Sequence, residues 1–312
     1  LRDKSEPHRQ SRVCDRQVPD RRDNVAAVKT TVLSPAKVNL YLKVLSRRPD
    51  GYHDLRSLVD LISLHDTIHI EDIGGDEIVV DDDRGILPRG EGNTVYRAVR
   101  MLREAAGVRK GVRVLIEKRI PIGSGLGGPS SNAATVLREL SERWELRLSS
   151  EDLNGIGSRV GADVPLFLHG GPCIMEGIGD VITPVRLPSM WYVITYPNIS
   201  MSTKAVYEGL RIVLTKKQND IKLMENFSTP RQIAGILEND LERVALTLCP
   251  QIQGIKDALQ GTKALGSLMS GSGSSVFAVF ENEQDAIQAS LLSVIREMGT
   301  VFVAHSVQGG VN

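Results

Sequence analysis

The chain has 312 residues, with 38 Lys plus Arg against 38 Asp plus Glu, and three scattered cysteines, Cys14, Cys173 and Cys249. That length suits about two domains, each with its own core, and the balanced charge excludes a whole-molecule field drawing it onto nucleic acid or an anionic membrane. With no CxxC pair, no run of 18 apolar residues and no apolar secretory core, the expectation is a cytoplasmic protein with free thiols.

Residues 1–27 mix Arg2, Arg9, Arg12, Arg16, Arg21 and Arg22 with Asp3, Glu6, Asp15, Asp20 and Asp23 and have few large apolar side chains. This composition predicts a disordered extension; a plastid transit peptide would be Ser-rich and poor in acids. A first domain is expected over 28–186. Short β-branched or Leu-rich runs at 28–33, 38–45, 58–64 and 67–70, separated by turn signals such as Arg48-Pro49-Asp50-Gly51, predict hairpins. Asn93 stands at a helix N-cap before the stripe Val95, Ala98, Val99, Leu102 and Ala105, which ends at Gly107. A strand over 112–117, a Gly-rich loop over 121–128 and a helix over about 129–140 follow.

A second domain is expected over 187–312. It reads strand (191–196), helices (203–214, 231–248 and 251–260), strands (264–270 and 276–280), helix (284–298) and strand (301–305), with a polar loop at 216–229. Leaving the extra helices aside, that order fits a ferredoxin-like split βαββαβ layer. The fold class is therefore α+β: an N-terminal mixed sheet with helices and a C-terminal ferredoxin-like α/β layer.

The richest segment chemically is Pro121-Ile122-Gly123-Ser124-Gly125-Leu126-Gly127-Gly128-Pro129-Ser130-Ser131-Asn132-Ala133. Its small residues let backbone approach a ligand, and the helix start behind them aims free N–H groups and a positive dipole end at the same point, a geometry that holds phosphates. Ser130 or Ser131 could bond phosphate oxygens, cap the helix or help position Mg²⁺. Read alone, the loop is also compatible with a tight turn. Gly123, Gly125 and Gly128 satisfy GxGxxG, but hairpins precede the loop where a dinucleotide fold would open with βαβ. Pro129 stands where a Walker A loop needs Lys.

Three separated segments together resemble the motifs of the GHMP kinase family of small-molecule kinases: Ser34-Pro35-Ala36-Lys37-Val38-Asn39-Leu40, the loop just described, and Met269-Ser270-Gly271-Ser272-Gly273-Ser274-Ser275-Val276-Phe277. Two more segments, Arg48-Pro49-Asp50-Gly51-Tyr52-His53 and Gly161-Ala162-Asp163-Val164-Pro165-Leu166-Phe167, are similar to those of the branch that phosphorylates the 2-hydroxyl of a cytidine diphosphate-linked polyol in non-mevalonate isoprenoid biosynthesis. The similarity spans about 31–308 and departs at Ser124 and Pro129, where glycines are expected.

The resemblance implies an ATP- and Mg²⁺-dependent kinase with a small-molecule substrate and no nucleic-acid or membrane partner. It makes Asp163 the catalytic base and places Lys37 beside it to stabilise charge on the attacking oxygen and the phosphoryl group. It gives residues 121–131 to ATP, Asn93 and Lys118 to the adenosine side, and Gly271, Ser272 and Gly273 to the phosphate end. Asn39 falls near the substrate hydroxyls, Tyr52 against a cytosine face, His53 at its polar edge and Tyr207 on the other face. By spacing alone Asp163 reads as a helix cap, Lys37 as a solvated charge and the Tyr52-His53 pair as a hairpin edge. His65 and His69 fall on a strand, where they should not share a metal. The alternatives are a GHMP kinase for homoserine, mevalonate or phosphomevalonate, and a non-catalytic nucleotide sensor on the same fold.

Overall fold

The structure, a computed structural model, describes residues 29–210 and 227–307. The extension expected over 1–27 lies outside the described residues, as do the end of the helix expected over 203–214 and most of the loop expected over 216–229.

The short strands expected at the start join into two long ones, β1 (Lys29–Arg47) and β2 (His53–Ile73), paired antiparallel. Their register slips between Pro35 and Ala36, between Asn39 and Tyr41, and between Val44 and Ser46. Bulges of this kind admit a proline and bend a strand without ending it, so an interruption that resembles a turn in sequence is a kink in space. β3 (Ile78–Asp82), absent from the sequence reading, runs parallel to β4 (Gly111–Glu117), which pairs antiparallel with β2. α1 (Thr94–Ala106) lies between them, capped by the Asn93 side chain and closed by a left-handed Gly107.

α2 (Gly128–Arg143) follows the Gly-rich loop, and α3 (Ser150–Val160) opens on a capping box made by Ser149 and Asp152. α4 (Val164–His169), β5 (Cys173–Gly177) and β6 (Val181–Pro184) complete this half, with β5 paired to β2 and β6. The helices cover one face of the sheet, packing Val99, Leu102, Leu137 and Leu140 on Ile68, Ile70, Val114 and Ile116.

The second half begins with β7 (Trp191–Tyr196), α5 (Thr203–Glu208) and α6 (Pro230–Ala234). The single helix expected over 231–248 is instead α6, the short strand β8 (Glu238–Asn239) and α7 (Glu242–Leu248). β8 crosses to the first sheet and pairs in parallel with β1 at Tyr41 and Leu42, a tertiary pairing that overrides local helical periodicity. α8 (Gln251–Gln260), β9 (Gly266–Met269) and β10 (Val276–Phe280) follow, and the helix expected over 284–298 breaks into α9 (Glu283–Ser290) and α10 (Ser293–Arg296) before β11 (Thr300–His305). The second sheet is antiparallel in the order β11-β7-β10-β9, that of the ferredoxin-like layer.

Val38, Leu40 and Ile62 of the first sheet meet Tyr192, Ile194 and Phe277 of the second. Val193, Ala278 and Phe280 on the far face are covered by Ile252, Ile255 and Ala286 of α8 and α9. The layers thus run helix, sheet, sheet, helix. No helix among the described residues is long and apolar enough to cross a membrane.

Candidate active site

The loop between β4 and α2 folds back over β1 and against the β9–β10 hairpin. At Gly125 φ is +79° and a side-chain carbon would sit 2.0 Å from the Ser270 carbonyl oxygen, so only glycine fits the approach. Ser270 Oγ donates to Gly125 O at 3.0 Å, Ser275 N to Ser124 O at 3.1 Å and Lys37 N to Leu126 O at 3.0 Å. Gly271, with φ +54°, is packed so tightly that an added carbon would lie 3.0 Å from Lys37 Nζ and 3.2 Å from Asn39 Oδ1. The three motif segments therefore converge. Ser124 has no left-handed backbone to forbid its side chain, and its hydroxyl donates to Pro121 O at 2.7 Å. Pro129 is the second residue of α2, where the missing N–H is one that a helix leaves unpaired in any case.

Asp163 precedes α4, yet its carboxylate caps no backbone N–H. Lys37, on β1, is only 5% exposed. Its ammonium stands 4.0 Å from Asp163 Oδ2 and donates to Asn39 Oδ1, while Asn39 Nδ2 donates to Ser57 Oγ at 2.8 Å. Burial pushes the Lys37 ammonium below the ordinary lysine range, and the Asp163 charge opposes that shift.

Lys37, Asn39, Asp163, Ser130 and the Gly-rich loop line one cleft of about 290 Å³ together with Gly271 and Ser272. A recess of about 670 Å³ adjoins it, sharing Leu55, Asp163, Thr203 and Tyr207 and lined further by Arg47, Tyr52 and His53. The Tyr207 ring lies 5.2 Å from that of His53, tilted by 34°, and Tyr52 is 59% exposed. Burial and the Arg47 charge push the His53 imidazole below its usual value, which favours a neutral ring with one donor and one acceptor nitrogen. Burial and the Asp163 charge push the Tyr207 phenol upward, so it keeps its proton.

Other singled-out residues sit apart from the cleft. Ser131 is buried, its Oγ 2.7 Å from that of Ser34, leaving Ser130 as the serine of the pair that faces the cavity. Asn93 Oδ1 accepts from Val95 N and Tyr96 N, and its Nδ2 donates to Pro88 O. Lys118 is buried and donates to Asp66. Ile122 is exposed, and its carbonyl accepts from Tyr196 OH at 3.1 Å. His65 bonds Ser63 O, and His69 bonds Thr31 and Glu117. Cys173 and Cys249 are buried free thiols.

The sequence reading missed Ser57 and Thr203, both in the cleft, where Thr203 Oγ1 lies 3.0 Å from Ser272 Oγ. A serine in an apolar strand run and a threonine at a helix start carry no local signal of either contact. It also missed Asn239, whose Nδ2 donates to Met269 O and Gly271 O at 2.8 Å each, tying β8 to the third motif.

Residues 93–171 match the family described as GHMP kinases N terminal domain, and residues 220–293 match GHMP kinases C terminal. A 4-diphosphocytidyl-2-C-methyl-D-erythritol kinase of Syntrophotalea carbinolica is 43% identical over 259 residues, covering 83% of this chain and 92% of that protein. The enzyme of the same name from Geobacter sulfurreducens is 44% identical over 263 residues, covering 84% and 94%. A crystal structure of 4-(cytidine 5'-diphospho)-2C-methyl-D-erythritol kinase superposes with a TM-score of 0.75 at 33% identity, over 90% of this chain and 100% of that one. A homoserine kinase from Cytophaga hutchinsonii, 20% identical with a TM-score of 0.68, shares the fold.

Proposed function

This chain belongs to the GHMP kinase family, and from that premise we propose that it transfers the γ-phosphoryl group of ATP to the 2-hydroxyl of 4-diphosphocytidyl-2-C-methyl-D-erythritol, a step of non-mevalonate isoprenoid precursor biosynthesis. The observation that carries this reading is the placement of Lys37 and Asp163, distant in sequence, 4.0 Å apart where the Gly-rich loop's cleft adjoins the Tyr52–His53–Tyr207 recess. One cavity suits a polyphosphate; the other suits a base.

In this mechanism the N–H groups of residues 123–128 and of Ser130, at the start of α2, hold the ATP phosphates. Asp163 accepts the proton of the substrate hydroxyl as its oxygen bonds to the γ-phosphorus and the bond to the ADP oxygen breaks. The Lys37 ammonium stabilises the charge that builds on the attacking oxygen and the phosphoryl group, while Asn39 orients both Lys37 and the polyol. Tyr52 offers an aromatic face to the cytosine, neutral His53 meets its donor and acceptor edge, and Tyr207 closes the pocket. Lys118, beside Gly128, serves the adenosine side indirectly, and Asn93 does so by fixing the start of α1.

Among the described residues no group of three or more His, Cys, Asp or Glu could hold a metal by itself. Mg²⁺ carried on ATP needs only one or two protein oxygens, and the Ser130 hydroxyl, which lines the cleft, fits that demand. Bound there it would neutralise phosphate charge. A cytoplasmic location belongs to the same reading, supported by the free thiols Cys173 and Cys249, and the balanced charge supports the absence of nucleic-acid partners.

The test is ADP release from ATP and Mg²⁺ with this substrate, homoserine, mevalonate or phosphomevalonate in turn. Turnover is expected with the cytidine compound and lost in Asp163→Asn with nucleotide binding kept. Turnover of another alcohol alone would overturn the substrate, and nucleotide binding without turnover of any would make the protein a sensor.

A further inference from the structure

Behind the Gly-rich loop, away from the cleft, Asp66 is fully buried on β2. Its Oδ1 accepts from the backbone N–H groups of Arg119 at 2.8 Å and Ile120 at 2.9 Å, the residues that enter the loop. Its Oδ2 accepts from the Lys118 ammonium and, at 3.1 Å, from Nδ2 of Asn132, which lies in the second turn of the helix leaving the loop. The chain of bonds continues outward: Ser34 Oγ donates to Asn132 Oδ1 at 2.8 Å and lies 2.7 Å from Ser131 Oγ. None of Asp66, Lys118, Asn132 and Ser131 lines the cleft.

Resting on the kinase reading, we propose that Asp66 is a positioning residue of the nucleotide site, one carboxylate that holds both ends of the Gly-rich loop and so sets where its N–H groups point. The chemistry favours a carboxylate at this place. Two oxygens present about four lone-pair sites, all used here, and bonds to an ionised acceptor are roughly twice as strong as neutral ones. A neutral amide could not accept all four. An isolated buried anion behind a phosphate site would repel the ligand, and the Lys118 ammonium, which would lie 3.3 Å from a carbon added to Gly128, cancels that charge at the base of the loop. An ion pair serving stability alone would have no need of Arg119 N–H and Ile120 N–H. The asymmetry between the two ends is also informative: the entrance is held through backbone, which fixes the path of the chain, and the exit through a side chain, which fixes the rotation of α2 about its axis.

The experiment compares the full chain with Asp66→Asn and with Asp66→Leu combined with Lys118→Met. The double variant removes both charges together, so no uncompensated charge is left buried behind the loop. Thermal unfolding, calorimetric binding of a non-hydrolysable ATP analogue, and KM for ATP and for the alcohol are measured on each. In both variants nucleotide affinity should fall by about 10–100-fold, the scale of one lost hydrogen bond to a charged phosphate, with KM for the alcohol unchanged. The double variant should unfold below the wild-type temperature, because Arg119 N–H, Ile120 N–H and the Asn132 amide lose their acceptor. A folded double variant that binds the analogue like wild type overturns the inference, as does an equal loss for both substrates. Should the double variant fail to fold, Asn132→Ala decides: weaker analogue binding supports the inference and unchanged binding overturns it. A wild-type chain that binds no nucleotide would instead bring down the kinase reading itself.

Discussion

Replacing Lys37 by Met removes the ammonium and keeps most of the side chain's bulk, so it isolates the electrostatic role. Two unit charges 4.0 Å apart interact by about 4 kcal/mol at an effective dielectric constant of about 20. The Asp163 side chain is 37% exposed, so water screens part of that attraction in the resting enzyme. Charge developing on the transferred group lies in the cleft that Lys37 lines, and removing one donor aimed at such charge lowers kcat by about 10²–10³-fold, or about 2.7–4 kcal/mol. The backbone bond from Lys37 N to Leu126 O survives the substitution, so the loop should keep its shape and nucleotide affinity should barely change.

Stability should move the other way, because burial makes the charged amine unfavourable and holds its pKa below the unfolded value of 10.5. Between those two values the unfolded chain binds more protons, so stability rises with pH as Lys37 loses its charge while activity falls. The variant should therefore melt higher than wild type at neutral pH and show no such alkaline rise. Steady-state ADP release, analogue binding and melting curves across the alkaline range supply the measurements. A Lys37→Met enzyme retaining kcat within about tenfold of wild type would refute the electrostatic role.

Gly125→Ala places a carbon 2.0 Å from Ser270 O at φ +79°; left-handed strain of about 1–2 kcal/mol and overpacking of about 1–3 kcal/mol should part the two loops, lowering the melting temperature and weakening nucleotide binding at least about tenfold. Unchanged binding would show that the contact does not shape the site. Tyr52→Ala should leave stability alone, since the ring is exposed, and raise KM for the cytidine substrate by about 5–100-fold, the worth of one stacked base, with KM for ATP unchanged. Asp60, buried between the sheets, accepts from Tyr192 OH and Ser306 Oγ at 2.7 Å each, and burial raises its pKa from 3.8 to about 6. Its contribution is present below the unfolded value and lost as pH rises through about 6, a swing of at most about 3 kcal/mol, so Asp60→Asn should melt higher than wild type at pH 7 and lose that advantage near pH 4; parallel melting profiles would contradict this.

Elements whose burial is settled by their own residues were legible. Trp191–Tyr196, Gln251–Gln260 and Val276–Phe280 stand where apolar runs and helical spacing put them, because each buries what its local pattern offers. Residues 231–248 mislead for the opposite reason. Ile233, Leu237, Leu241 and Val244 keep helical spacing, but Glu238–Asn239 gains backbone pairing with β1, and Asn239 spends its amide on the third motif. That gain depends on a strand far away in the chain, which no window of local sequence contains.

The reactive pair was illegible from pattern for a related reason. In Ala36-Lys37-Val38-Asn39-Leu40 apolar and polar residues alternate, which in a strand is the signature of one face against a core and the other in water. Lys37 and Asn39 are buried all the same, because the Gly-rich loop and the β9–β10 hairpin cover the second face. The same letters describe a solvated edge or a roofed cleft, and the difference is supplied wholly by the roof. Its glycines can be recognised in sequence, but their partner strand cannot, so the local reading of Lys37 as a surface charge fails where a long-range backbone contact takes the place of water. A lysine kept dry against its own desolvation penalty is a local inconsistency of the kind that folds retain at working sites, and here it lies beside a carboxylate that caps nothing.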